Sequence, residues 1–92
     1  GWNYSHTNFV ILGEVLEKAL GKPMAKIYEE HVFEPLGLKH TDYPSDAEVR
    51  SPVLHAFSND RGKYEDSTYW NPSWTSHSGR MTSTLADLGT IA

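Results

Sequence analysis

The sequence has no cysteine, no long apolar run and no block of like charge, and each absence excludes a class of protein. Without cysteine, a small core gains nothing from disulfides or thiolate metal sites. No apolar run approaches the roughly 20 residues that cross a membrane. The formal charge of −4 comes from scattered acids and bases, whereas a nucleic-acid partner calls for a basic stripe. We therefore expect neither a membrane span nor a nucleic-acid interface.

Large aliphatic side chains are also scarce. Leu, Ile, Val and Phe fill 19 of the 92 positions, which is close to the lower limit for an ordinary core. The three Trp, five Tyr and three Phe partly compensate, because each aromatic side chain buries a large area. A chain of 92 residues forms one domain at most, so we expect a single unit, residues 1–92, with a thin core.

The clearest periodic pattern predicts a helix over residues 7–20. Ser5 or Thr7 is expected to cap its start, and Gly21 suits the left-handed residue that follows a helix end. Charged side chains occupy one face, and the other face carries apolar residues at helical spacing: Phe9, Leu12, Val15, Leu16, Ala19 and Leu20.

Two further helices are predicted. One begins at Pro23, whose missing N–H is not needed in a first turn, and is expected to stop near Phe33 because Pro35 follows. Its expected buried stripe consists of Met24, Ile27, Tyr28 and Val32. The other helix lies near the end of the sequence, capped by Thr82 or Ser83, and carries Leu85, Leu88 and Ile91.

Between these helices, residues 41–74 lose all periodicity. Prolines and a glycine punctuate a polar, aromatic-rich stretch at Pro44, Pro52, Gly62 and Pro72. An irregular segment of this length is uncommon inside a compact domain, so we expect it to be functional or to pack against further structure. The predicted architecture is mainly α, with one long irregular loop.

The entrance of the first helix concentrates the candidate chemistry. Tyr4 acts as a general base only where a neighbouring cation favours its phenolate form; otherwise it is a half-buried side chain that packs at the helix entrance. Ser5 needs an oriented base to be a nucleophile, and nothing further to be a cap. His6 either contacts a substrate or is merely solvated. The residues alone favour the structural alternative in each case.

The other candidates are weaker. The aromatic set forms either a stacking wall for a ligand or a small second core under the long loop, and comprises Tyr64, Tyr69, Trp70 and Trp74. No His-Glu-x-x-His spacing, Gly-x-Ser-x-Gly elbow or glycine-rich phosphate loop occurs, so we predict no metal and no cofactor. One hypothesis is a free-standing helical binding module whose contact surface contains Tyr69, Trp70 and Trp74.

The order of three segments supports a second hypothesis. The segment WNYSHTNF followed by ILGEVLEKALGKP resembles the Tyr-x-Asn segment of the serine β-lactamase-like hydrolases. VFEPLGLKHT, residues 32–41, resembles the helix end and turn that follow in that family. WNPSWTSHSGRMTSTLADL, residues 70–88, resembles its next landmark, an aromatic–Ser–Ala–Gly-type loop that leads into a helix. Together the three landmarks cover nearly the whole chain.

The resemblance implies serine acyl transfer, as in class C β-lactamases, D-alanyl-D-alanine carboxypeptidases and related esterases. A Ser in a Ser-x-x-Lys motif attacks a carbonyl, and the Lys and the Tyr of Tyr-x-Asn manage its proton. By this resemblance Tyr4 is the catalytic tyrosine, while His6 and Trp74 contact a small acyl substrate. It also implies an exported or envelope-associated enzyme, although the residues themselves fix no compartment.

Two departures shape this hypothesis. His6 stands where the family has Asn, whose amide both donates and accepts, and this favours an ester over a β-lactam or peptide substrate. Arg80 stands where a small or apolar residue is expected. Neither Ser-x-x-Lys nor Lys-Thr-Gly occurs in residues 1–92. We therefore expect the helical subdomain portion of the β-lactamase/transpeptidase-like α/β fold: a partial domain that is inert alone and prone to self-association. A degenerate, non-catalytic relative is a third hypothesis.

Overall fold

A computed structural model describes all residues from 1 to 92. Helix α1 spans His6–Leu20. Ser5 occupies the N-cap position, as expected, but its side chain makes no capping hydrogen bond. Gly21 adopts the left-handed conformation with φ 65°, and its N–H donates to the Glu17 carbonyl oxygen, which closes the helix. The predicted first helix is therefore confirmed, with its start one residue earlier.

The second predicted helix is longer than expected. Helix α2 spans Met24–Tyr28, a π-helical turn spans Glu29–Phe33, and α3 spans Glu34–Leu36. The prediction that Pro35 ends this helix near Phe33 is wrong. A proline inside a helix lacks a donor and crowds the carbonyl one turn before it, and the wider π turn relieves that crowding. The chain leaves α3 at Gly37, with φ 65°.

Residues 41–74 are irregular, as predicted, apart from a small hairpin. Strands β1 (Phe57–Ser58) and β2 (Glu65–Asp66) pair antiparallel, with Phe57 opposite Asp66. A 3₁₀ helix, Pro72–Ser78, follows and packs against α1. Inside it Ser76 takes φ 48° and ψ −128°, a strained conformation for a residue with a side chain.

Helix α4, Leu85–Ile91, completes the chain. Thr84 caps it by accepting a hydrogen bond from the Asp87 N–H at 3.2 Å, so the prediction of Thr82 or Ser83 as the cap is wrong. The Ser83 hydroxyl is engaged elsewhere, at 2.9 Å from the Thr41 hydroxyl. Asp42 and Thr82 form a β-bridge through their backbones. These contacts fasten the start of the long loop to the end of the chain.

The fold buries little and exposes much. Only six of the 92 residues are buried, with Met24, Ile27 and Leu38 as the apolar core. The accessible surface is 7019 Å², whereas a compact protein of this mass exposes about 5,400 Å². The radius of gyration is 14.9 Å, against about 12 Å for a compact domain of this length. This excess favours a part of a larger fold over a free-standing module.

Helix α1 carries part of this uncovered apolar surface. Phe9, Leu12 and Val15 of its apolar stripe are each about half exposed. An apolar stripe of this kind normally faces a core, so α1 carries a packing face that the rest of the chain does not cover. No helix of the chain has the length and apolarity needed to cross a membrane.

Candidate functional site

Tyr4 lies immediately before α1 with its side chain largely open. It is 61% exposed, and its hydroxyl has no hydrogen-bond partner in the chain. Its ring makes an edge contact with the His6 ring, with 5.4 Å between centroids, and a tilted contact with Phe9 at 6.0 Å. The ring is thus supported from one side, while the hydroxyl is free to meet a group outside these 92 residues.

His6 joins the entrance of α1 to the 3₁₀ segment. Its Nδ1 lies 3.1 Å from Ser78 Oγ, and Ser78 Oγ in turn donates to the Thr75 carbonyl oxygen at 2.6 Å. The segment is internally braced, since the Thr75 hydroxyl donates to the Pro72 carbonyl oxygen at 2.7 Å. The first and third landmarks of the sequence therefore meet in space, and this side-chain hydrogen bond is one of the contacts that join them.

Trp74 belongs to the same 3₁₀ segment but remains apart. Its side chain is 81% exposed and forms no ring contact with Tyr4 or His6. The structure thus brings together two of the three predicted site residues, Tyr4 and His6. Trp74 lies on the 3₁₀ segment, which is hydrogen bonded to His6 through Ser78. A large, unsupported indole of this kind is available to a ligand or to another part of the fold.

The remaining aromatic residues of the long loop pair with near neighbours. Tyr64 stacks on Phe57 at 5.3 Å, and Tyr69 meets the His55 ring edge at 6.1 Å. Arg61 lies over the Trp70 ring at 5.0 Å. Tyr64, Tyr69 and Trp70 therefore form small clusters around the hairpin. This arrangement is closer to the predicted small second core than to a stacking wall for a ligand.

His77 is a tightly packed residue that the sequence reasoning did not single out. Its ring presses on the backbone of Gly13 in α1, so closely that a Cβ at position 13 would lie 2.2 Å from His77 Cγ. Its Nδ1 lies 2.9 Å from the Tyr43 hydroxyl, and its Nε2 lies 3.4 Å from Glu14 and 4.0 Å from Glu17. The sequence does contain a signal for close packing at this point, since a glycine in the middle of a helix, such as Gly13, otherwise only weakens the helix.

Three of these side chains, those of His77 and the two glutamates beside it, form the one group of potential metal donors in the chain. Ligand atoms of Glu14, Glu17 and His77 all lie within 4.8 Å of one another. Hydrogen bonding within the chain also accounts for the two ring nitrogens of His77 without a metal ion: the Tyr43 hydroxyl donates to Nδ1, and Nε2–H faces Glu14. In addition, Glu17 already accepts from the Met24 N–H at 2.6 Å, which ties α1 to α2.

Arg80, the second departure from the family pattern, is a structural residue. Its guanidinium lies over the Tyr43 ring at 4.6 Å, and its Nε donates to the Pro44 carbonyl oxygen at 2.7 Å. Burial raises the pKa of Tyr43, although the Arg80 charge opposes that shift. Tyr43 also contacts the Tyr28 ring at 5.2 Å. Arg80 therefore anchors the loop after Tyr43 and lies outside the Tyr4 cluster.

Asp87 is a second buried polar residue that sequence reasoning missed. Its carboxylate accepts from the Thr41 hydroxyl and from the His40 N–H, each at 2.8 Å. The Thr41 hydrogen bond is the main reason that the pKa of Asp87 is lowered. The sequence signal was the Thr-x-x-Asp spacing from Thr84, but that pattern indicates only a helix start. Asp87 fastens α4 to the chain near Thr41.

Comparison with known proteins identifies the fold. The whole chain, residues 1–92, matches the family model described as Beta-lactamase. A putative D-alanyl-D-alanine carboxypeptidase of Escherichia coli (strain K12) is 35% identical over 54 residues, or 59% of this chain and 11% of that protein. The D-alanyl-D-alanine-carboxypeptidase/endopeptidase AmpH of the same organism is 42% identical over 48 residues, or 51% of this chain and 12% of that protein.

Solved structures match over nearly the full length. The D-stereospecific amidohydrolase from Streptomyces sp. superposes with a TM-score of 0.91 at 36% identity, covering 98% of this chain and 27% of that one. The D-amino acid amidase from Ochrobactrum anthropi SV3 gives a TM-score of 0.82 at 28% identity, covering 98% and 26%. The chain thus spans 11–12% of these curated relatives and 26–27% of these solved chains. It belongs to the Beta-lactamase family and has the fold of one segment of such a hydrolase.

Proposed function

We propose that residues 1–92 supply the tyrosine base and part of the acyl-binding wall of a β-lactamase-like serine hydrolase. The observation that carries the proposal is the hydrogen bond between His6 and Ser78. It joins the Tyr4-Ser5-His6 segment to the element that bears Trp74, so that base and wall have a fixed relation. Catalytic groups need this kind of fixed geometry, because small displacements cost large factors in rate.

Tyr4 is the proposed general base. A base must reach the proton that it removes, and the Tyr4 hydroxyl is exposed and engaged by no other group in the chain. Both arginine–aromatic contacts in the chain involve other rings, on Trp70 and Tyr43. The cation that favours the phenolate is therefore proposed to be the Lys of a Ser-x-x-Lys motif outside these residues.

In this scheme Tyr4 handles one proton in each direction. During acylation its oxygen takes the proton of the nucleophilic serine as that serine bonds to the substrate carbonyl. The same proton then passes to the leaving amine as the amide bond breaks, which leaves an acyl-enzyme and regenerates the Tyr4 phenolate beside the Lys ammonium. Water then attacks the ester of the acyl-enzyme, and Tyr4 takes a proton from that water and returns it to the serine oxygen as the ester bond breaks.

The proposed substrates are amides adjacent to a D-amino acid. Two of the similar proteins are named as a putative D-alanyl-D-alanine carboxypeptidase and a D-alanyl-D-alanine-carboxypeptidase/endopeptidase, and the two solved structures as a D-stereospecific amidohydrolase and a D-amino acid amidase. These names favour an amide over the ester that His6 alone leaves open.

The test uses a hybrid hydrolase, in which residues 1–92 replace the matching segment of the Streptomyces amidohydrolase. We expect the hybrid to hydrolyse D-phenylalanine p-nitroanilide, and Tyr4→Phe to lower kcat/KM by about 10²–10⁴-fold, the usual contribution of a general base. Tyr64→Phe is the matched control, since Tyr64 is an exposed ring on the hairpin. A folded hybrid whose activity survives Tyr4→Phe unchanged contradicts the proposal.

The 92-residue chain alone is expected to be inert. It contains no Ser-x-x-Lys serine, so Tyr4 has no nucleophile to activate. Purified chain is assayed with D-phenylalanine p-nitroanilide, a chromogenic ester and a cephalosporin. Turnover that disappears in Tyr4→Phe is the result that would sink this expectation.

A further inference from the structure

We infer that Ser78 is a positioning residue that holds the neutral His6 ring in its Nδ1–H form. His6 then offers the acyl site a hydrogen-bond acceptor, Nε2, where the family's asparagine offers both a donor and an acceptor. The site therefore selects substrates with a free α-ammonium group over those whose α-amino group is acylated. This inference rests on the proposed function, because it assigns specificity to the same site.

The hydroxyl proton of Ser78 determines which nitrogen of His6 is protonated. Its Oγ lies 2.6 Å from the Thr75 carbonyl oxygen, and a carbonyl oxygen only accepts. The single hydroxyl proton of Ser78 is therefore committed to Thr75. Towards His6 Nδ1, 3.1 Å away, Ser78 Oγ has only a lone pair to offer. His6 must be the donor of that bond, so its Nδ1 carries the proton.

The second nitrogen follows from the first. A neutral imidazole has one N–H, so Nε2 of His6 carries a lone pair and accepts. No group of the chain hydrogen bonds to Nε2, and the side chain of His6 is exposed. The ring lies against Tyr4, with 5.4 Å between centroids, which places this acceptor beside the proposed base.

An acceptor at this point distinguishes two classes of D-amino acid amide. A free α-ammonium group donates to Nε2 in a charge-assisted hydrogen bond. An N-acyl group keeps one amide N–H, which donates to Nε2 only as a neutral and more weakly bound donor. Because a charge-assisted hydrogen bond is roughly twice as strong as a neutral one, we expect a preference of about fivefold to tenfold for the free amine.

The kinetic test compares D-phenylalanine p-nitroanilide with its N-acetyl derivative in the hybrid hydrolase at about pH 7.2, where an ordinary imidazole is mostly neutral and an ordinary α-amino group is mostly protonated. We expect kcat/KM to favour the free amine by about fivefold or more, and Ser78→Ala to reduce that preference to about twofold or less. Ser78→Ala also removes the bond that joins the Tyr4 segment to the 3₁₀ segment, so it should lower kcat/KM for both substrates, and the inference is read from their ratio. Ser73→Ala, in the same segment and without a side-chain hydrogen bond, should keep the full preference. A preference that Ser78→Ala does not alter overturns the inference.

A spectroscopic test separates this inference from the proposed function. In the hybrid with ¹⁵N-labelled histidine, long-range ¹H–¹⁵N spectra distinguish a protonated from an unprotonated ring nitrogen, and the signals missing in His6→Asn belong to His6. We expect Nδ1–H in the hybrid and a mixture of tautomers in Ser78→Ala. Nε2–H in the hybrid overturns the inference even if the enzyme is active. A folded hybrid that hydrolyses neither substrate, but shows Nδ1–H, contradicts the proposed function and supports the tautomer.

Discussion

Replacing Gly13 by alanine tests the contact between α1 and the 3₁₀ segment most directly. An added Cβ would lie 2.2 Å from His77 Cγ and 2.4 Å from His77 Cβ, well inside van der Waals contact. The ring cannot simply swing away, because its side chain is only 9% exposed and its Nδ1 is hydrogen bonded to Tyr43. Gly13→Ala therefore forces His77 and the segment that carries it away from α1.

Opposing effects set the magnitude of this change. Alanine is favoured over glycine inside a helix by about 1 kcal/mol. Overpacking costs about 1–3 kcal/mol, and loss of the His77–Tyr43 hydrogen bond costs about 1 kcal/mol more. The net expectation for Gly13→Ala is a loss of about 1–3 kcal/mol in the free energy of unfolding. The steric term thus outweighs the helix propensity.

Urea unfolding of the hybrid hydrolase, followed by circular dichroism, measures this difference. Gly89→Ala in α4 is the matched control, because nothing lies within 4 Å of the added Cβ, and it should gain about 0.5–1 kcal/mol. In a His77→Gly background, which removes the Cβ as well as the ring, Gly13→Ala should destabilise much less. If Gly13→Ala alone stabilises the protein as much as Gly89→Ala does, the proposed wedge between His77 and α1 does not exist.

Two further changes test the hairpin and the last helix. Hydrogen bonds from the Thr68 side chain, from the Thr68 N–H and from His55 lower the pKa of Asp66 from 3.8 to about 2. A depressed carboxylate pKa stabilises the fold above the unfolded value, so this contribution should be complete above about pH 4 and lost as the pH falls towards 2. Asp66→Asn should abolish it, as read from hairpin chemical shifts during an acid titration. Thr84→Ala should lower the free energy of unfolding by about 1 kcal/mol, as for other N-caps, and Thr82→Ala by less than half of that. Equal losses for the two threonines in urea unfolding would contradict the assignment of the cap.

The features that the sequence predicted correctly depend on nearby residues. Helix α1 follows from apolar spacing, and its end at Gly21 follows from the freedom of glycine at positive φ. The irregular character of residues 41–74 follows from lost periodicity. The family was predicted because the Tyr4–His6 segment resembles one of its motifs, and the match over the full chain confirms that family.

The features that the sequence did not predict depend on partners far along the chain. Ser83 is as good a cap as Thr84 by type, but its hydroxyl is near Thr41. Pro35 lies inside a helical segment because a π turn precedes it, and no local rule predicts that turn. Likewise, His77 is one of five histidines until Gly13 is known to lie against it. Site geometry was unpredictable for the same reason.

The hydrogen bond between His6 and Ser78 also bears on the order of folding. It closes a loop between residues 72 positions apart in sequence. The entropy lost on closing a loop grows with its length, so such contacts form after the local helices rather than before them. The relation between Tyr4 and the 3₁₀ segment is therefore expected to be among the last features to appear during folding and among the first to open. A ligand that binds only when the His6–Ser78 hydrogen bond is formed stabilises every contact on which that bond depends. Binding of such a ligand therefore reports on the folding of all the residues between His6 and Ser78.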